Sequence, residues 1–193
     1  MKSVLISIQP KWVEKIASGE KTIEVRKTRP KLETPFKCYI YCTNGNGSLN
    51  DTLMSRDRRF VLNQKVIGEF VCNYIDELEE WELSPCDMFY KEEKERLDLF
   101  LKRSCLSYDE ICDYRKNLSS IKPLYGWHIS DLKIYDKPKA LSEFYRDCPQ
   151  YYSSYEEGIC AEMCVWYDMG ICKNFSLPIT RPPQSWQFVE SLG

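Results

Sequence analysis

Three charged side chains at the start of a short strand are the residues of this chain best suited to chemistry. Lys21, Glu24 and Arg26 lie in the stretch Gly-Glu-Lys-Thr-Ile-Glu-Val-Arg at 19–26. Side chains alternate between the two faces of a strand, so Glu24 and Arg26 are expected on one face, roughly 6–7 Å apart. An ammonium, a carboxylate and a guanidinium so close together could clamp a polar or anionic ligand. They could equally form an internal ion pair, and the residues alone favour neither.

Catalysis from this stretch would need special conditions. Lys21 could act as a general base only after losing its proton, whereas a carboxylate at Glu24 favours the charged ammonium. His128 is the single histidine of the chain. A lone histidine within a strand pattern usually has a structural role, and no local signature of a Cys–His nucleophile pair accompanies it. We therefore predict no catalytic residue from these patterns.

The elements that must position these residues follow from the apolar pattern. Alternation predicts a strand over 3–8, and a helix should begin at Pro10 and be capped near Gly19. Trp12 falls on the apolar stripe of that helix and is expected in the core. The remaining predicted strands are 22–27, 36–42, 65–75 and 125–135, and the tail at 180–189 is predicted to be a turn that runs into a last strand. Strands scattered among short helices, without a regular βαβ alternation, favour an α+β fold built on a small mixed barrel.

The chain of 193 residues is expected to be one domain, 1–193, with two additions. The segment at about 77–121 is acidic and rich in helix formers, and Ser107-x-x-Glu110 within it is a capping box. The segment at about 146–178 is irregular and contains cysteines. We predict a helical insertion in the first segment and no regular structure in the second.

Charge is nearly balanced overall and unevenly distributed. The formal net charge of −2 argues against a general binder of polyanions. Residues 1–37, however, carry nine Lys or Arg against four Glu, a net of +5. Residues 69–98 carry eleven acidic against three basic side chains, a net of −8. The sequence therefore allows a locally basic face near the motif at 19–26.

The ten cysteines raise the questions of compartment and of metal. No segment approaches the roughly 20 apolar residues of a membrane span, and the N-terminal stretch lacks a cleavage site for export. We therefore expect a cytoplasmic protein with free thiols, and no metal. The alternative is a structural zinc, although tight Cys-x-x-Cys spacing is absent. Its ligands would be Cys148, Cys160, Cys164 and Cys172.

The order of several short motifs resembles the ASCH domain of the PUA-like superfamily. These are Ser-Ile-Gln-Pro-Lys-Trp at 7–12, then Gly-x-Lys-x-x-Glu-x-Arg at 19–26, followed by an Arg-Pro pair. Val-Ile-Gly-Glu-Phe at 66–70 and Leu-Tyr-Gly-Trp-His-Ile-Ser-Asp-Leu at 124–132 resemble later core strands of that family. The resemblance covers roughly 1–76 and 122–145, with Arg-Pro-Pro-Gln-Ser-Trp at 181–186 as a closing element.

The resemblance implies a PUA-like mixed β-barrel with short helices beside a cleft. It also implies a binding module for RNA or a nucleotide-like ligand. The family motif carries over to Gly19, Lys21, Glu24 and Arg26 as ligand contacts. Further contacts, by stacking or by charge, are predicted from side chains beside turns. These are Tyr125, Arg181 and Trp186.

Two other functions stay open from the sequence. One ASCH subgroup is similar to a small amidohydrolase that removes the acyl group from acetylcytidine, and that group has Thr where this chain has Glu24. An enzyme of this kind would here depend on Lys21, Glu24 and Thr22. Because Glu24 stands in place of that Thr, we favour binding over catalysis. The other alternative is a protein-interaction domain that recruits a partner through the acidic residues 77–98. The ligand and the oligomeric state are left open.

Overall fold

A computed structural model describes residues 2–45, 52–56, 60–83, 91–116, 118, 122–148, 166, 169–172 and 176–192. Its strands are β1 (Lys2–Ile8), β2 (Ile23–Arg26), β3 (Phe36–Cys42), β4 (Lys65–Cys72), β5 (Ile75–Leu78), β6 (Leu124–His128), β7 (Ser130–Lys139), β8 (Tyr145–Asp147), β9 (Ser176–Pro178) and β10 (Trp186–Glu190). Its α-helices are α1 (Pro10–Ala17), α2 (Lys91–Ser104) and α3 (Tyr108–Arg115). Among the described residues no helix has the length and apolar character needed to cross a membrane.

The strands form three sheets. The largest has the order β10-β1-β3-β4-β7, the second is β2-β6-β5, and β8 pairs with β9. Strands β1 and β3 run parallel, whereas the other pairs are antiparallel. The mixed sheets and flanking helices agree with the predicted α+β class. The described strands do not close into a ring, so the predicted barrel is not confirmed.

The start of the chain folds as its local signals predict. Pro10 occupies the first turn of α1, and Val13 and Ile16 are buried beneath the helix. Gly19 follows the helix with a φ of +81°, a left-handed conformation that glycine adopts without steric cost. Its N–H donates to the carbonyl of Ile16 and closes the last turn. The chain then enters β2 with the motif residues in place.

Two of the predicted strands are each split by a change of sheet. The stretch at 65–75 ends as β4 at Cys72, and Ile75 already belongs to β5 in the second sheet. The stretch at 125–135 likewise divides into β6 and β7, which join different sheets. At the second break the N–H of Ile129 donates to the carbonyl of Thr22, outside either strand ladder. Apolar runs predicted the strand residues here but not the points where the chain changes partners.

The segment at 77–121 packs as part of the core. Helix α2 covers the second sheet, and α3 starts at the predicted capping box, where Glu110 N–H donates to Ser107 Oγ and Ser107 N–H donates to a Glu110 carboxylate oxygen. The cluster between these helices and β2 is fully apolar. Its buried members are Ile23, Val25, Leu78, Leu83, Phe100, Ile111 and Leu124. One face of β2 is thus buried by α2 and α3, which leaves the other face for Glu24 and Arg26.

Gly126 allows α2 to lie close to the second sheet. A Cβ atom at this position would overlap the ring edge of Phe100 and come within 3.0 Å of Ile23 Cγ2. We expect Gly126→Ala to lower the free energy of unfolding by about 1–3 kcal/mol, because overpacking forces side chains from their preferred rotamers. Urea unfolding monitored by circular dichroism measures the change. Adding Phe100→Leu should recover part of the loss, and equal stability of Gly126→Ala and the unmodified protein would contradict this packing.

Candidate functional site

Lys21, Glu24 and Arg26 form a buried ion-pair triad. One carboxylate oxygen of Glu24 lies 3.3 Å from Lys21 Nζ, and the other lies 2.9 Å from Arg26 Nη2. Their relative exposures are 3%, 6% and 7%, respectively. The predicted face-sharing of Glu24 and Arg26 is therefore observed, and direct pairing follows from it. With two cations around one carboxylate, the triad carries a net charge of +1.

Lys21 joins this triad to two helices. Its Nζ donates to the carbonyl of Ser104, the last residue of α2, over 2.7 Å. A cation at this end of a helix interacts favourably with the exposed carbonyls and with the helix dipole. The ammonium also lies 5.1 Å from the centre of the Trp12 ring on α1. A second hydrogen bond connects this stretch to α2, since the N–H of the next residue, Thr22, donates to the carbonyl of Arg103.

Arg26 joins the triad to the largest sheet and to the C-terminal segment. Its Nη2 donates to the carbonyl of Ser7 over 2.6 Å, and Nη1 makes a longer contact of 3.4 Å with Ser185 Oγ. Its buried Nε has no hydrogen-bond partner within the described part of the chain. Ser7 in turn donates from Oγ to the carbonyl of Pro183 and from its backbone N–H to that of Ser185. The stretch predicted to close the fold is thus fixed beside Arg26.

The triad lies at a cleft of about 1030 Å³. Helix α1 supplies one wall and α3 another, and the turn before β10 and the ends of β3 and β4 complete the lining. Its side chains combine charge, aromatic rings and amides. The charged, aromatic and amide side chains of the lining include Lys11, Trp12, Lys21, Glu24, Arg26, Asn44, Gln64, Glu110, Asp113, Tyr114 and Gln184. Such a surface can hold a planar polar molecule by stacking and by hydrogen bonds.

Tyr114 is a lining residue that sequence reasoning missed. Burial raises the pKa of its phenol, while the nearby charges of Arg26 and Glu24 act on that pKa in opposite directions. The phenol therefore stays protonated at neutral pH and can donate a hydrogen bond in the cleft. Lys27 Nζ lies 5.0 Å from the centre of the ring. The residue belongs to the segment read as an insertion, so only the tertiary fold reveals its position.

The other predicted site residues lie around the cleft, outside the lining of its described part. Trp186 packs its ring 6.0 Å from that of Trp127, and its Nε1 donates to Thr28 Oγ1. Arg181 is exposed just before the lining residues of the C-terminal turn, and Tyr125 is paired with Arg26 across β2 and β6. Gly19 shapes the turn into β2. Trp12, expected in the core, is only partly buried and forms part of the cleft wall.

Neither His128 nor any thiol that the structure describes is among the lining residues of the cleft. His128 Nε2 lies 2.6 Å from Asp76 Oδ2, and its ring meets Tyr74 edge-on. The nearby Cys72 is buried, and burial raises the pKa of its thiol to about 12, which keeps it protonated and unreactive. The pair of His128 and Asp76 thus fits the structural role expected of a lone histidine.

The zinc alternative is not tested by the structure. Cys160 and Cys164 lie outside the described residues. Cys148 is buried and Cys172 is partly exposed, both as free thiols. Within the described ranges no group of three or more potential metal ligands occurs.

Comparison with known proteins identifies the relatives of this fold. The model of the ASCH domain family matches residues 6–108, just over half of the chain. Among solved structures, the ASCH protein of Zymomonas mobilis superposes with a TM-score of 0.51 at 17% identity, over 97% of this chain and 87% of that chain. A point variant of that protein gives a TM-score of 0.53 at 15% identity, over 97% and 88%. At such identities the likeness shows a shared fold. A comparison with curated proteins gives no match.

The hydrogen bond from Lys21 to α2 makes a testable prediction about stability. Lys21→Met leaves the Ser104 carbonyl unpaired and Glu24 with one cation, so we expect a loss of about 3 kcal/mol in the free energy of unfolding. Hydrogen exchange should increase most in the last turn of α2 and in α3. Lys15→Met is the matched control, because Lys15 forms only an exposed pair with Glu20 and should cost less than about 1 kcal/mol. A uniform increase in exchange across all elements would contradict this role.

Proposed function

This chain belongs to the ASCH domain family, and we propose that it binds RNA by holding one unpaired base, or a nucleotide-like ligand, in the cleft beside Arg26. ASCH domains are generally thought to bind RNA. The observation that carries the proposal is the position of the family motif, because Lys21, Glu24 and Arg26 line the same cleft as the aromatic rings of Trp12 and Tyr114. Single-stranded RNA is commonly recognised through unstacked bases that stack on aromatic side chains and hydrogen-bond through their edges.

The size and composition of the cleft support a ligand of this kind. Small-molecule sites typically measure roughly 300–1,000 Å³, so about 1030 Å³ leaves room for a base and its sugar. Trp12 and Tyr114 offer rings from two different helices, α1 and α3. Amide side chains of Gln64 and Gln184 can both donate and accept, which suits the edges of a base. The set of groups matches a heterocycle better than an apolar molecule.

The motif residues have different roles in this proposal. Arg26 contacts the ligand, since Nη1 makes only a long contact with Ser185 and retains donor capacity in the cleft. Glu24 orients Arg26 and can accept from an amino group. Lys21 directs its Nζ to Ser104 and Glu24, so it shapes the cleft more than it contacts the ligand. Arg181 and Trp186 would contact flanking RNA, while Gly19 and Tyr125 support the backbone of β2.

A hydrolytic role is not proposed, because the contacts of its required groups are structural. The ammonium of Lys21 is held by α2 and by Glu24. Thr22, the nearest hydroxyl of the motif, does not occur among the lining residues in the described part of the cleft. Its backbone N–H is committed to α2. Binding therefore accounts for the arrangement with fewer requirements than catalysis.

Tyr114 offers the sharpest test of base binding in the cleft. We expect Tyr114→Ala to weaken binding of a random single-stranded RNA 12-mer by roughly 5- to 150-fold, which corresponds to about 1–3 kcal/mol of base stacking. Tyr114→Phe keeps the ring and should retain most of the affinity. Fluorescence anisotropy at fixed salt measures the dissociation constants.

Tyr74→Ala is the matched control, since Tyr74 is 57% exposed and is not among the described lining residues of the cleft, whereas Tyr114 is 37% exposed. It should bind RNA as the unmodified protein does. Equal affinities of Tyr114→Ala and the unmodified protein, with both proteins folded by circular dichroism, would sink the proposal that the cleft holds a base. A similar loss in both variants would point to a general effect of tyrosine removal on RNA binding.

A further inference from the structure

We propose that helix α3 makes the cleft selective against phosphate, so that the inserted part of the ligand is an uncharged base or nucleoside. Phosphates would then remain outside. The inference rests on the proposed function and assigns Glu110 and Asp113 as specificity-determining residues. Neither residue is part of the family motif at 19–26, and both lie in α3, within the acidic helical segment at about 77–121.

The charges of the described lining residues balance each other. Among these residues, three cations, Lys11, Lys21 and Arg26, accompany three carboxylates, Glu24, Glu110 and Asp113. A site for a phosphate usually concentrates positive charge and backbone N–H groups. Here the net +1 of the triad and the +1 of Lys11 are offset by the two carboxylates of α3. A dianionic phosphate that entered would approach these carboxylates and would lose its hydration as well.

The cation at the edge of the cleft is already engaged. Lys11 Nζ lies 4.0 Å from a carboxylate oxygen of Glu110, and 4.3 Å from the centre of the Trp12 ring. Asp113 is hydrogen-bonded to Lys116, which does not occur among the described lining residues. A phosphate would therefore have to compete with Glu110 for Lys11. An uncharged base does not require Lys11 as a partner and so avoids this competition with Glu110.

The position of Glu110 is fixed by the helix itself. Its carboxylate accepts the N–H of Ser107 over 2.9 Å and forms half of the capping box of α3. Glutamine serves equally at this position of a capping box, so Glu110→Gln removes the charge and keeps the cap. Asp113 is 68% exposed, and its pair with Lys116 adds little stability. The two charges can thus be removed with the fold intact.

The experiment compares nucleosides with their phosphates. The probes are adenosine, cytidine, guanosine and uridine and the corresponding 5′-monophosphates, titrated by calorimetry at fixed ionic strength. The unmodified protein should bind at least one nucleoside more tightly than its monophosphate. In Glu110→Gln/Asp113→Asn, the monophosphate should tighten by about tenfold while the nucleoside changes by less than about twofold.

A double substitution outside the cleft controls for net charge. Glu92→Gln/Asp98→Asn removes the same two charges from exposed positions of α2. It should leave the ratio of the two affinities unchanged, since exposed charges beyond a Debye length are screened. If this control also tightens the monophosphate, long-range charge replaces the α3 wall as the cause and the inference is wrong.

The remaining outcomes separate the two proposals. Tighter binding of every monophosphate than of its nucleoside by the unmodified protein overturns charge selection and leaves base binding in place. An unchanged ratio of the nucleoside and monophosphate affinities in Glu110→Gln/Asp113→Asn likewise overturns charge selection and leaves base binding in place. Binding of the RNA 12-mer without binding of any nucleoside overturns the inference alone. Failure of the RNA 12-mer and of all nucleosides and monophosphates to bind refutes the proposed function, and the inference with it.

Discussion

A single buried carboxylate, Glu24, sets the arrangement on which the rest of the site depends. It lies between Lys21 and Arg26, and each cation also donates to a backbone carbonyl in a different part of the fold. Lys21 reaches the last carbonyl of α2, and Arg26 reaches the carbonyl of Ser7 in β1. A buried charge is tolerated only when its partners are present, so loss of any member leaves another uncompensated. The triad thus couples three elements, β2, α2 and β1.

This coupling explains why a segment that looks like an addition in sequence belongs to the site. Helix α2 ends where Lys21 caps it, and Ser107, the N-cap residue of α3, lies three residues after Ser104. The wall that contains Tyr114 is therefore positioned by the motif on β2. Apolar packing also holds α2 and α3 against β2, because the two helices bury the face of this strand opposite Glu24. Motif and insertion form one structure with a shared cleft.

The parts of the site that were predictable are those governed by local rules. Proline at the start of α1, glycine at its end and alternation in β2 fix the motif, and all act within a few residues. The breaks near Cys72 and Ile129 depend on which sheet each strand joins, which no local pattern encodes. The position of Trp12 on the apolar stripe of α1 does not decide between core and cleft, since an amphipathic ring can pack against the core and line a cleft at the same time. Tyr114 lies 93 residues from Lys21 in sequence, so only tertiary contacts bring it to the cleft.

The central claim is that the cleft beside Arg26 receives a base of RNA, and crosslinking tests it most directly. Single-stranded RNA containing 4-thiouridine can be irradiated on the protein, and the crosslinked peptides can be identified by mass spectrometry. The account predicts crosslinks at Trp12, Tyr114 or Gln184, competed away by free nucleoside. Crosslinks confined to the exposed strand β7, with none in peptides that line the cleft, would contradict it.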